Sequence, residues 1–464
     1  MAGLLIRWSV ALLGALGAGL CWGGLVATDL APAGRASLGV TSLAVGLWGS
    51  ELVEMPVVAF LAMTLLFITR GAPGLDAAFV GFSSPVLFFL IGSTALGIAA
   101  EHTGLADRLA GWLLRRSGGS GRRLLGELLL SLPLQAFVVP SAMSRNAVLV
   151  PIYDRVLARL DRPPRLGAAT MLTLGVLGPL ASSALLSGGT SPVAAAQAIG
   201  GFTWGTWLVA LAPPYYVLLA GGALAVWLFS RPEPVVEECA ATDAVQKSPA
   251  LEGGLSAAEW RVAAVGAATS LLWVLDAATH WPPAVPALLA MVALMTPRLG
   301  VMGWRAFAAR APWATGVVLA GATSLADALT RTGAAGWMAR GLFGWLPAAA
   351  SPTAMALAVF LVTSIITLAI PNRAAAITLG VPLAAAYAAT GPLSVAAAGL
   401  VVMVAVDAET IYPAQTAANL IAYDRGYFSA GALARFNLVT MTLAALVVVF
   451  VALPWWGLVG LPGR

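Results

Sequence analysis

Four stretches of this chain, residues 166–230, 341–372, 374–406 and 436–463, contain no Asp, Glu, Lys or Arg. A bilayer's hydrocarbon core is crossed by about 20 apolar residues in α-helical form, so these runs hold one or several spans each, divided by Gly and Pro. The rest of the chain agrees, since 60% of its 464 residues are hydrophobic and 10% charged. A soluble chain carries about 25% charged residues to solvate its surface. The expected fold is therefore an all-α polytopic membrane protein with about 11 transmembrane helices. Residues 8–28, after Arg7, form the first expected span, although Ala27 keeps a cleaved signal peptide open as the competing reading.

The net charge of +5 is almost wholly arginine, Lys247 being the single lysine. Its densest cluster, Arg108, Arg115, Arg116, Arg122, Arg123, Arg155, Arg159, Arg162 and Arg165, places those segments on the cytoplasmic side by the positive-inside rule. The same reasoning gives no role to nucleic acid. Cys21 and Cys239 form no disulfide framework. His102 and His280 lack metal-ligand neighbours. Trp22, Trp204, Trp207, Trp281, Trp455 and Trp456 are expected in the aromatic belts at the interfaces.

One polar stretch, residues 231–259, rich in Pro, Glu and Gly, reads as a linker near mid-chain. Landmarks repeat across it in the same order. Pro140 and Pro151 bracket SAMSRNAVLV, and Pro371 and Pro382 bracket NRAAAITLGV at the same spacing. Thr103-Gly104-Leu105-Ala106 corresponds to Thr332-Gly333-Ala334-Ala335, and Thr190 with Phe202 to Thr416 with Phe428. The chain is thus expected to comprise an N-terminal helix (1–36), a first repeat (37–231), a cytoplasmic linker (232–257) and a second repeat (258–464). Within the first repeat, residues 104–116 carry Leu105, Leu109 and Leu113 on one stripe with Arg108, Arg115 and Arg116 off it, the pattern of an interfacial helix.

Each half also has an interrupted span, at Gly188-Gly189-Thr190-Ser191-Pro192 and at Tyr412-Pro413-Ala414-Gln415-Thr416. Irregular backbone inside a membrane survives only where protein or a wet cavity covers it. Transporters use such paired breaks to aim helix N-termini at an anionic substrate and freed carbonyls at a coupling cation.

With these motifs in view, GFSSPVLFFLIGSTALGIAAEHTGLADRLA, PSAMSRNAVLVPI, SLADALTRTGAAGWMA and YPAQTAANLIAYDRGYF make the chain similar to the divalent anion–sodium symporter family over about residues 39–436. That resemblance implies two inverted repeats, each with a re-entrant hairpin and a broken helix. It further implies a homodimer in the cytoplasmic (inner) membrane, working by elevator-type movement on a dicarboxylate such as succinate or malate, on citrate or on sulfate. Hairpin tips fall at residues 140–143 and 371–373. Substrate contacts are implied at Ser141, Ala142, Met143, Thr190, Asn372, Thr416 and Asn419. Sodium, the implied coupling ion, would take its ligands from Ser141, Gly188, Gly189, Thr367, Asn372 and Ala414. The first tip keeps only Ser141 of the family's Ser-Asn-Thr, and the second keeps Asn372 without flanking hydroxyls.

Ionisable residues inside spans are costly without a partner and mark function. Arg145 and Arg373, one in each Pro-bracketed motif, offer guanidinium forks for a carboxylate or sulfate; the competing reading is a structural ion pair, such as Arg373 with Asp407. Asp407 and Glu409, just before the second break, are candidate proton relays, and proton-coupled or exchange transport of a tricarboxylate or sulfate is the second reading. An intramembrane enzyme would need a base beside Ser141 or Ser144, and no His or Lys lies in those segments. No enzymatic activity and no cofactor is expected.

Overall fold

The structure is a computed structural model in which residues 2–105, 108, 121–138, 142–159, 163–230, 254–347, 350–370 and 372–461 are described. Among them are helices and turns but no strand. The expected linker falls mostly outside these residues, as do Cys239, Pro140, Ser141, Pro371 and most of the expected interfacial helix at 104–116.

The first half contains α1 (Ala2–Trp22), α2 (Pro32–Ser50), α3 (Met55–Ile68), α4 (Pro85–Thr103), α5 (Gly121–Val138), α6 (Ala142–Arg159), α7 (Pro164–Ser183), α8 (Thr190–Ile199) and α9 (Trp204–Ser230). The second contains α10 (Ala257–Val274), α11 (Ala284–Met295), α12 (Trp313–Arg331), α13 (Ala334–Phe343), α14 (Pro352–Ala369), α15 (Arg373–Ala388), α16 (Val395–Ala408), α17 (Ala417–Tyr423) and α18 (Ala430–Val459). Five of the described helices, α4, α7, α9, α14 and α18, are long and apolar enough to cross a membrane; α3, α11, α15 and α16 are shorter apolar helices.

The starts are written in local chemistry. Ser84, Ser351, Asn372, Ser394, Thr416 and Ser429 each accept a hydrogen bond from a backbone N–H of the helix they precede. That bond satisfies a donor which the helix cannot pair internally. At α10, Ser256 and Glu259 form a reciprocal capping box, so the polar stretch read as linker up to residue 259 already belongs to a helix at its end. Glu259 also pairs with Arg108 at 2.8 Å, fastening the segment after α4 to the start of the second half. Matched glycines end the two corresponding helices: Gly104 after α4 and Gly333 after α12 both take left-handed φ, +81° and +74°, which a side chain would resist.

The halves interlock. α11 lies along α4 and α3 lies along α12, so each half supplies a long packing partner to the other. The expected aromatic belt is only partly present. Trp22 and Trp281 are exposed, but Trp204, Trp207 and Trp456 are buried. Their indole N–H groups are donated inside the protein, to Ser187 Oγ, Ser183 O and Ala210 O, which is what permits an indole to be buried.

Candidate functional site

The two interrupted segments meet at the centre of the protein, and both breaks lie where the Gly- and Pro-rich sequence put them. α7 ends at Ser183, a single 3-10 turn covers Leu186–Gly188, and α8 begins at Thr190. On the other side α16 ends at Ala408, a 3-10 turn covers Pro413–Gln415, and α17 begins at Ala417. Gly188 is required by close approach, because a Cβ there would stand 1.8 Å from the carbonyl oxygen of Ser182.

Between the breaks lies a cavity of about 340 Å3. The first residues of α6, α8 and α15 line it, namely Ala142, Thr190 and Arg373, and Thr416 at the start of the short α17 joins them. Unpaired N–H groups and the positive end of the dipole face inward at a helix start, so this convergence suits an anion. Ser93, Thr94 and Thr315 from α4 and α12 complete the wall with hydroxyls. Among the described lining residues only two are charged, Arg373 and Asp407.

Arg373 is held from behind. Its Nη2 donates to Thr410 Oγ1 at 2.6 Å and to the Glu409 carbonyl at 3.3 Å. Its buried Nε–H has no partner among the described residues. Asp407 instead accepts from Tyr215 Oη at 2.9 Å, a phenol reaching in from α9. The ion pair between Arg373 and Asp407 weighed from the sequence is absent among the described pairs, although each lies within the other's field. Glu409 is fully buried one layer behind the wall; Gln415 Nε2 reaches its Oε1 at 3.5 Å, and its Oε2 has no partner among the described residues.

The candidates from the sequence therefore separate. Ala142, Gly188, Gly189, Thr190, Asn372, Arg373, Asp407 and Thr416 line the cavity. Arg145 is absent from that lining: its Nη2 donates to Gly178 O at 3.0 Å and to Ser182 Oγ at 2.5 Å, pinning α6 to α7. The two arginines are not counterparts either. Equal Pro spacing sets Arg373 opposite Ala142, and Arg145 opposite Ala376. Thr367 is also outside the lining, its hydroxyl donated to Thr363 O within α14 at 2.8 Å. Asn419 braces the second break instead, donating to Pro413 O at 3.2 Å. Ser141 lies outside the described residues, as do the side chains of Met143 and Ala414.

Sequence reasoning passed over Asn146. α7 contains a π-helical turn at Thr173–Leu177, where the wider winding disturbs the carbonyl ladder. Asn146 Nδ2 donates to Leu174 O at 2.9 Å in that turn and to Ala418 O at 2.8 Å in α17, so one buried amide ties both broken spans to α6. Asn146→Leu leaves two buried carbonyls without that donor, and it is expected to lower stability by about 2–4 kcal/mol. Thermal unfolding of the purified variant checks this; an unchanged midpoint would remove the bracing role. Tyr215 was passed over as well, though a buried Asp407 called for a hydroxyl partner.

A second cavity, of about 290 Å3, has walls from four of the helices that also line the first: α4, α8, α12 and α15. On α8, α12 and α15 it sits further along, at Ala194 and Gln197, Thr323 and Asp327, and Thr378, whereas on α4 it sits nearer the helix start, at Val86.

Comparison with known proteins adds independent findings. The protein family described as sodium:sulfate symporter transmembrane region matches residues 26–461. Among curated proteins, the chain is 29% identical to a protein named "Membrane protein" from Cupriavidus necator, over 67% of this chain and 64% of that one. It is 24% identical to dicarboxylate transporter 2.2, chloroplastic, of Arabidopsis thaliana, over 60% of this chain and 53% of the relative. With dicarboxylate transporter 2, chloroplastic, of Spinacia oleracea the identity is 25%, over 65% and 54%. The matched part thus spans between about half and two thirds of these relatives' own length.

Proposed function

Because the chain belongs to the sodium:sulfate symporter transmembrane family, we propose that it is a secondary active transporter of small divalent organic anions. A dicarboxylate such as succinate or malate is the proposed cargo. The observation that carries this reading is Arg373, one of the two charged groups among the described residues lining a cavity where helix starts from both halves converge. An Arg fork held by Thr410 and Glu409 O is pre-oriented for a carboxylate, which makes the bond strong and directional. The names of the plant relatives support the same class of anion.

Two inverted repeats moving by an elevator-type alternation fit the shared walls of the two cavities, since the mobile breaks would carry the anion along α4 and α12 from one chamber to the other. A homodimer in the cytoplasmic (inner) membrane completes the proposal. Sodium is the first choice of coupling ion, with Gly188, Gly189 and Asn372 at the cavity to supply oxygens. The second reading, coupling to protons or to counter-exchange, is favoured by a particular observation: Glu409 is buried with one carboxylate oxygen lacking a partner among the described residues, two residues after Asp407 of α16. Such a group is costly to hold charged, so it is suited to take up and release a proton during a cycle.

Uptake of labelled succinate into proteoliposomes decides between them. An imposed sodium gradient is expected to drive accumulation at fixed pH. Accumulation driven by a pH gradient without sodium transfers the coupling to Glu409 and Asp407. The absence of saturable uptake or counterflow with any di- or tricarboxylate or sulfate overturns the transport reading itself.

A further inference from the structure

At the far end of the α14–α15 hairpin from Arg373 lies a cavity of about 470 Å3, larger than the central one and of different chemistry. Ala386 is 13 residues along α15 from Arg373, which at 1.5 Å per residue puts the two sites about 20 Å apart. The cavity's walls are apolar: Ala339 and Phe343 of α13, Met355 of α14, and Ala386 with the ring of Tyr387 from α15. Phe343 and Tyr387 stack at 4.2 Å between centroids, so the walls are braced against each other. Arg340 is the one charged group among the described lining residues. Its side chain is 65% exposed and, among the described residues, its ion pair is a 3.5 Å contact to Asp29, and an exposed pair of that length holds a guanidinium weakly.

The location says what surrounds this opening. α13 buries Ala334, Ala335, Ala339 and Phe343 on one side and turns Arg340 outward. Trp337 Nε1 donates to Asp29 at 2.8 Å and Trp345 is exposed just beyond the helix. Indoles and an arginine beside a short amphipathic helix mark the boundary between hydrocarbon and water. A cavity opening there faces lipid headgroups, with apolar walls below and a cation at the mouth. A small, doubly charged anion would leave those walls unsatisfied. We propose that this cavity binds an anionic phospholipid of the surrounding bilayer, with acyl methylenes between α13 and the hairpin base and the phosphate on Arg340. Seated there, the lipid is a wedge between α13 and the hairpin whose other end presents Arg373, so membrane composition sets the hairpin's position.

The inference is independent of which anion is carried, and its test does not use transport. Native mass spectrometry of the full chain, taken from micelles supplied with phosphatidylglycerol, phosphatidylcholine or a free fatty acid, reads the bound lipid. Wild-type protein is expected to retain phosphatidylglycerol above the other two. Arg340→Gln is expected to lower that retention about fivefold, the worth of one surface arginine near an anionic headgroup. Ala386→Trp fills the cavity and is expected to abolish retention. Ala339→Phe fills it from the opposite wall and serves if Ala386→Trp does not fold, folding being read from gel filtration and the thermal midpoint. Equal retention of phosphatidylcholine or of fatty acid overturns the proposal, and so does retention indifferent to the Arg340 and cavity-filling variants.

Discussion

Arg373→Gln is expected to weaken anion binding about a hundredfold, within the range for removing one partner of a buried, charge-assisted bond. Substrate-induced thermal shift or isothermal titration reads it directly, and initial uptake at low substrate reads it again. Arg373 lines the cavity while its Nη2 is anchored on Thr410 and Glu409 O. Arg373→Lys keeps the charge but loses both the fork and the anchor, so it is expected to recover only a small part of the affinity. A complication arises from Asp407, which shares the cavity and loses its neutralising neighbour in the Gln variant. The double variant Arg373→Gln/Asp407→Asn removes that repulsion. If it binds the anion as tightly as wild type, Arg373 is a charge balance for Asp407 and not a ligand.

Gly188→Ala is expected to be among the most damaging single-methyl changes at the described glycines. Its Cβ would stand 1.8 Å from Ser182 O and 2.6 Å from the Ser182 carbonyl carbon. Both are backbone atoms, so no rotamer relieves the clash and the turn itself must move. Ser182 Oγ holds Arg145, and Ser182, Gly188 and Gly189 all line the cavity. Displacement therefore reaches the site and the α6–α7 brace together. A loss of several kcal/mol, the size reserved for strain and overpacking in a core, should accompany uptake below about a tenth of wild type. Gly126→Ala is the control, because a Cβ at that position in α5 meets nothing within 4 Å. It is expected to leave transport unchanged and to add up to about 1 kcal/mol of helix stability. Equal behaviour of the two variants would show that the first break tolerates repacking.

The parts of the fold visible in the sequence were those with a local cause. Uncharged length gave the apolar helices, and Gly and Pro the breaks. Hidden features depended on register or on distant partners. Arg145 and Arg373 look alike as arginines in matched motifs. A three-residue difference in position after the bracketing proline sends one to Ser182 and leaves the other at the cavity. Nothing in the apolar run around Thr173 announces a π-helical turn, and the donor that meets its Leu174 carbonyl is Asn146, a residue contributed by another helix. Buried Trp207 and Trp456 escaped for a related reason: their indole acceptors, Ser183 O and Ala210 O, are backbone atoms far away in the chain. Thr367 was placed by analogy to a motif, while its position within α14 directs its hydroxyl to Thr363 O.

The interlocking of α4 with α11 and of α3 with α12 leaves early helices waiting for late partners during biosynthesis. α4 ends at Thr103 and α11 begins at Ala284, so 284 − 103 = 181 residues separate them, or about 10–40 s of synthesis at 5–20 residues per second. Through that interval the face of α4 destined for α11 has only lipid, the insertion machinery or a chaperone against it. The N-terminal half released alone would keep this face uncovered, making it a substrate for membrane quality control instead of a half-carrier. A separately expressed C-terminal half carries the missing partner, so co-expression of the two pieces is the condition under which either should accumulate.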